Sequence, residues 1–163
     1  MAEALLRLQD LGRDFDVSRP WLNRVTERLP RQILHAVDGV SFEVRRGETL
    51  ALVGESGCGK STVARLIVGL HAPSRGRIEY QGVALDRGEA ARRVRRRMQM
   101  IFQDPYASLN PRWRVREVVA EPLRVLRLAS TEAQIDARVT ELLQQVGLAA
   151  EDAEKYPHEF SGG

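Results

Sequence analysis

Residues 50–62 read Leu50-Ala51-Leu52-Val53-Gly54-Glu55-Ser56-Gly57-Cys58-Gly59-Lys60-Ser61-Thr62. The apolar start has the composition of a buried strand, the middle is a glycine-rich turn, and the end opens a helix. Gly54, Gly59, Lys60 and Ser61 fit the G-x-x-x-x-G-K-[ST] spacing of a phosphate loop. The spacing has a chemical reason. Glycines and small residues let successive backbone N–H groups curl around an anion with no Cβ in the way. The helix adds unpaired N–H groups and a partial positive charge at its N-terminus. Lys60 is expected to reach the β- and γ-phosphates, and the Ser61 hydroxyl to ligate Mg²⁺. Alone, the loop indicates a nucleoside triphosphate and does not choose among kinases, GTPases and transport ATPases.

Composition narrows the class. A length of 163 residues suits one domain with a real core, and 43% apolar with 29% charged residues is ordinary for a globular protein. The apolar runs are too short to span a bilayer. Met1-Ala2-Glu3-Ala4 lacks the basic start and apolar core of a signal peptide. A single cysteine rules out an intrachain disulfide and suits a cytosolic setting. Net charge is +3 with a pI near 9.5, and Lys60 and Lys155 are the only lysines. The arginine excess is scattered. Its one cluster, Arg92, Arg93, Arg95, Arg96 and Arg97, reads as a solvated face rather than a nucleic-acid site.

Working outward from the loop, Leu6 and Leu8 alternate with Arg7 and Gln9 in a first strand over 5–11, followed by Phe15. The pattern breaks over 18–32, where Trp21, Leu22, Val25 and Leu29 stand at helical spacing between Pro20 and Pro30. A short helical or irregular excursion and a partner-contact surface are both open there. Val40, Phe42 and Val44 form a half-buried strand. Residues 60–70 form the loop's helix, with Val63, Leu66, Ile67 and Leu70 inward. A short strand follows over 77–81, then an arginine-rich helix over 89–96 and a second buried strand over 98–103. The rest is helical. Residues 115–128 form a helix that Pro122 should kink or divide. Thr131 and Gln134 make the capping box of the next helix, whose stripe is Ile135, Val139, Leu142, Leu143 and Val146 and whose C-terminal cap is Gly147.

Three stretches carry a resemblance: the loop itself, Phe102-Gln103-Asp104-Pro105-Tyr106-Ala107-Ser108-Leu109-Asn110-Pro111-Arg112, and Tyr156-Pro157-His158-Glu159-Phe160-Ser161-Gly162-Gly163. Together they make the chain resemble the nucleotide-binding domain of an ATP-binding-cassette (ABC) transporter over essentially its whole length. The middle stretch is most similar to the ATPase subunits of oligopeptide and dipeptide importers, and nickel and glutathione importers share much of it. The resemblance implies an α/β fold: a P-loop NTPase (RecA-like) core, an N-terminal antiparallel β subdomain and an α-helical subdomain, with the core sheet incomplete. It places the β subdomain and core in 1–105 and the helical subdomain, up to the signature motif, in 106–163.

Residue by residue, the resemblance gives ATP to Phe15, Gly54, Glu55, Ser56, Gly57, Cys58, Gly59, Lys60, Ser61, Thr62 and Gln103. Phe15 matches the aromatic that stacks on adenine, with Trp21 as the alternative, and a plain core aromatic at a strand end is the competing reading. Gln103 matches a glutamine that ligates Mg²⁺ together with Ser61 and senses the γ-phosphate, against a glutamine merely hydrogen-bonded at a strand end. Ser161, Gly162 and Gly163 match the start of the signature motif, which contacts ATP held by a partner subunit. The implied partners are a second ABC ATPase subunit in a homo- or heterodimer, an integral membrane permease and, indirectly, a substrate-binding protein, with no nucleic acid. The implied location is peripheral, on the cytoplasmic face of the cell membrane.

In the family the signature is followed by a Walker B strand with its aspartate, a water-polarising glutamate and a γ-phosphate-contacting histidine. These do not occur in the 163 residues, so the chain resembles the N-terminal portion of such a subunit and no catalytic residue is assigned within it. Four readings compete: an importer ATPase; a soluble P-loop kinase, opposed by 102–112 and the Ser-Gly-Gly; an ABC protein acting on DNA or ribosomes, opposed by the importer form of 102–112; and a fragment that binds nucleotide or a partner without catalysis.

Overall fold

The computed structural model describes residues 4–28, 30–86, 88–104 and 108–160, apart from the side chains of Trp21, Leu22 and Val25. It divides into two compact units, Met1–Met100 and Ile101–Gly163.

In the first unit, four strands, β1 (Ala4–Asp16), β2 (Ile33–Arg45), β3 (Arg75–Tyr80) and β4 (Val83–Ala84), form an antiparallel sheet in the order β2-β1-β3-β4. The excursion between β1 and β2 is a helix, α1 (Trp21–Glu27). Two bulges set which side chains face inward. Leu8 opposes Phe42 while Leu11 opposes Val40, so β1 holds one residue more than β2 between those pairs. That extra residue lets Leu8 and Leu11, three apart, both lie buried on one face. Beyond them Leu11 opposes Val40 and Arg13 opposes Val37, so β2 carries the extra residue, next to Gly39 at φ +65°. Val37 thereby reaches the same core.

Over this face lies α2 (Lys60–Ile67), which inserts Val63 and Leu66 among Leu8, Leu11, Val37, Ile78 and Leu85. The helix ends earlier than residue 70 because Gly69 turns left-handed at φ +80°. The Leu70 N–H then bonds back to the Arg65 carbonyl and the Gly69 N–H to that of Leu66, a glycine-terminated helix end. Leu70 is consequently exposed rather than part of the inner face. The arginine-rich helix α3 (Glu89–Arg95) follows β4.

The expected buried strands over 50–53 and 98–103 are not strands. Neither pairs with a strand among the described residues, and Val53 is 93% and Ile101 90% exposed. An apolar run becomes a strand only where neighbours satisfy its N–H and C=O groups along both edges. The antiparallel ladder of β1 to β4 does not extend to these residues. The antiparallel β subdomain is therefore present, and the segments expected as core strands form no strand among the described residues.

The second unit is built on α4 (Val115–Val125) and α5 (Glu132–Gln145), followed by single 3-10 turns at Ala150–Glu154 and Pro157–Glu159. Ala120 and Leu123 from α4 pack on Ile135, Val139 and Leu143 from α5, with Ala153 beneath. Pro122 does not divide α4. The helix runs three residues past it to Val125, short of the expected 128, and Arg127 ends it with φ +53°. The Thr131 hydroxyl accepts the Gln134 N–H at 3.3 Å, while the Gln134 side chain reaches back to the N–H of Ser130, one residue beyond the usual capping box. Gly147, at φ +80°, closes α5, and Leu148 bonds back to the Leu143 carbonyl and packs on the core. Val146 falls outside the stripe and is exposed, because the helix has already ended at Gln145.

A candidate phosphate-binding loop

The loop of residues 54–59 leads directly into α2. Its geometry rests on glycine at two points. Gly59 caps the helix at φ +97°, and a Cβ there would stand 2.4 Å from the backbone oxygen of Ala36 on β2. Gly57 has φ +84° and open space on its Cβ side. Gly54 lies against the Cys58 sulfur, which a Cβ would meet at 2.8 Å.

Lys60 folds back over the loop. Its ammonium donates to the carbonyls of Gly54 at 2.8 Å and Glu55 at 2.6 Å, and lies 3.5 Å from Cys58 Sγ. The first hydrogen bond of α2 runs from the Val63 N–H to the Gly59 carbonyl at 2.9 Å. The N–H groups of Lys60, Ser61 and Thr62 therefore have no acceptor inside the helix. The helix has neither a side-chain cap nor an acidic residue in its first turn. An ammonium, three N–H groups without an acceptor in the helix and a positive helix end converge on one exposed loop, a donor set that fits a phosphate. Glu55, Ser56 and Cys58 are exposed along its rim, Ser61 is exposed at the helix start, and Thr62 is half-buried.

The other expected residues stand elsewhere. Phe15 is half-buried near the end of β1. His71 meets its ring edge-on, with centroids 5.3 Å apart and planes at 81°, and the Arg13 guanidinium lies 4.5 Å from the ring centre. Trp21 opens α1. Gln103 is exposed at a bend in the second unit rather than buried at a strand end. Ser161, Gly162 and Gly163 lie outside the described residues, as do Pro105, Tyr106 and Ala107 of the stretch 102–112.

Sequence reasoning missed three participants. Ala36 walls the loop at Gly59 through a contact 23 positions away in the chain, for which no local signal exists. His71 follows α2 with no pattern of its own. Arg13 did leave a signal, since it stands two residues before Phe15 on one strand and so on the same face.

Comparison with known proteins gives the family. The family model described as ABC transporter matches residues 37–163. The oligopeptide transport ATP-binding protein OppF of Bacillus subtilis (strain 168) is 46% identical over 166 residues, covering 100% of this chain and 50% of that protein. The probable D,D-dipeptide transport ATP-binding protein DdpF of Escherichia coli (strain K12) is 42% identical, covering 100% and 47%. The glutathione import ATP-binding protein GsiA of Pectobacterium atrosepticum is 46% identical over 99% of this chain and 25% of its own length. The chain thus spans about half or less of the length of these curated relatives. Among solved structures, the dimeric post-hydrolysis state of the ATP-binding cassette MJ0796 bound to ADP and Pi superposes with a TM-score of 0.70 at 22% identity, over 96% of this chain and 63% of that one, which supports the fold. With its phosphate loop, its sheet and a family match that covers most of its length, the chain belongs to the ABC transporter family.

Proposed function

We propose that this chain is the phosphate-loop portion of an ATP-binding subunit that couples ATP binding and hydrolysis to the import of oligopeptides or dipeptides through a membrane permease. The observation that carries the reading is the loop, where the Lys60 ammonium lies on the Gly54 and Glu55 carbonyls beside a helix whose first three N–H groups have no acceptor within it. In this reading Lys60 exchanges the Gly54 and Glu55 carbonyls for phosphate oxygens, and the backbone of 54–62 cradles the phosphates. Charge and dipole hold the phosphates without covalent chemistry, as phosphoryl transfer requires. Among the described residues no group of three His, Cys, Asp or Glu could hold a metal ion. The family resemblance gives a bound Mg²⁺ the Ser61 hydroxyl and Gln103, with nucleotide and water oxygens completing its shell.

The same reading gives Phe15 the adenine ring, and Ser161, Gly162 and Gly163 the ATP of a partner subunit. It assigns 1–105 to the β subdomain and core and 106–163 to the helical subdomain, with the stretch 106–112 and the helices after it facing the permease. A second ATPase subunit, a permease and a substrate-binding protein are the partners, and the location is the cytoplasmic face of the membrane. No group within residues 1–163 is assigned to polarising the attacking water, so these residues alone are expected to bind ATP with turnover near background. Glutathione as cargo is the second reading, supported by the 46% identity to a protein named for glutathione import.

Titration of labelled Mg-ATP onto Lys60→Ala tests the proposal. Losing a charged donor to phosphate should weaken binding roughly ten- to a hundredfold. Unchanged affinity would remove the loop from the argument.

A further inference from the structure

We infer that Arg13 is a positioning residue for the nucleobase, acting through Phe15; this rests on the reading of Phe15 as the base-stacking aromatic. Arg13 and Phe15 are two residues apart on β1, and the guanidinium carbon lies 4.5 Å from the ring centre. The guanidinium is itself anchored. Its Nη1 donates to the carbonyl of Ala72 at 2.8 Å, and its Nε is buried with no hydrogen-bond partner among the described residues. Ala72 follows His71, whose ring stands perpendicular to that of Phe15 with the centroids 5.3 Å apart.

The segment bearing both residues is tied down on two sides. The His71 N–H donates to the Arg65 carbonyl at the end of α2. Ser74 donates its N–H to the Gly12 carbonyl at 2.8 Å and accepts the Asp14 N–H on its hydroxyl at 3.0 Å. Phe15 is thus contacted by a cation over its ring and by an imidazole perpendicular to it, both fastened to the segment that leaves the phosphate-loop helix. These two contacts set the Phe15 rotamer before a base arrives. Such preorganisation raises affinity by lowering the ordering cost of binding, and a cation over an aromatic ring steadies it at a partly exposed site.

The test measures affinity for Mg-ATP and for inorganic tripolyphosphate, which shares the phosphates and lacks the base. Arg13→Met keeps the stem and removes the cation. It should weaken ATP binding roughly two- to fivefold and leave tripolyphosphate unchanged. Arg13→Lys, which keeps a cation, should recover most of the loss. Phe15→Ala should weaken ATP roughly fivefold or more, and adding Arg13→Met to it should cost nothing further. Equal losses for ATP and tripolyphosphate, an unaltered ATP affinity in Arg13→Met, or additive losses in the double variant would each overturn the inference while leaving Phe15 in place. An unaltered ATP affinity in Phe15→Ala would instead refute the reading of Phe15, and the inference with it.

Discussion

Replacing Gly59 with alanine separates two costs that usually come together. At φ +97° the residue occupies backbone space that side chains disfavour, a penalty of about 1–2 kcal/mol. The new Cβ would also stand 2.4 Å from the Ala36 oxygen and 3.5 Å from Val37 Cγ2. Ala36 cannot retreat easily. It is the extra residue of a bulge in β2, fixed between Val37 and His35, which pair with Arg13 and Asp14, and Val37 is buried in the core with Leu8, Leu11 and Leu66. Forcing an atom into such a site costs about a further 1–3 kcal/mol. Gly57→Ala is the control, since its φ of +84° carries a similar backbone penalty but its Cβ would have nothing within 4 Å. Gly59→Ala is therefore expected to lose about 2–5 kcal/mol and Gly57→Ala only about 1–2 kcal/mol. At about 2–4 °C per kcal/mol for a chain of this length, the clash alone should separate the two melting temperatures by about 2–12 °C. Thermal and urea denaturation, followed by circular dichroism on both variants and the parent, measure this. Equal destabilisation of the two variants would show that the loop is not wedged against β2, and the packing argument would fail.

Cys58 is exposed on the loop beside Lys60, so bound nucleotide should cover it. Timed alkylation is expected to slow in the presence of Mg-ATP, and identical rates with and without nucleotide would place the phosphates elsewhere. In the second unit, the Arg124 guanidinium, hydrogen-bonded at 2.6 Å and aided by Arg116, holds the Glu132 carboxyl below its ordinary range. A lowered folded-state value stabilises the fold above the ordinary glutamate pKa of about 4.3, and that contribution disappears as pH falls further. Glu132→Gln should flatten the acid limb of the stability profile, read as urea midpoints between pH 6 and 3. Parent and variant losing stability in parallel over that range would contradict it.

The phosphate loop, the ends of α5 and the alternation at the start of β1 were legible because each is a short-range matter. A glycine that must turn left-handed, a hydroxyl three residues from the N–H it caps, and a period of two or four are all written within a few positions. Even so, Gly69 ended α2 before Leu70 although the apolar spacing continued, because its backbone conformation overrides the stripe. What lay beyond sequence reading depends on distant partners. Residues 50–53 and 98–103 have the composition of buried strands, yet a strand exists only where another chain segment answers its hydrogen bonds, and no composition supplies that neighbour. The bulges that turn both Leu8 and Leu11, and both Val40 and Val37, toward one core change the parity of the strands without any mark in the alternation. The oxygen of Ala36 behind Gly59, and the grip of Arg13 and His71 on Phe15, arise only when β1, β2 and the segment after α2 are folded together. Local sterics and hydrogen bonding are decided by adjacent residues, whereas pairing, burial and the company a side chain keeps are decided by the whole chain.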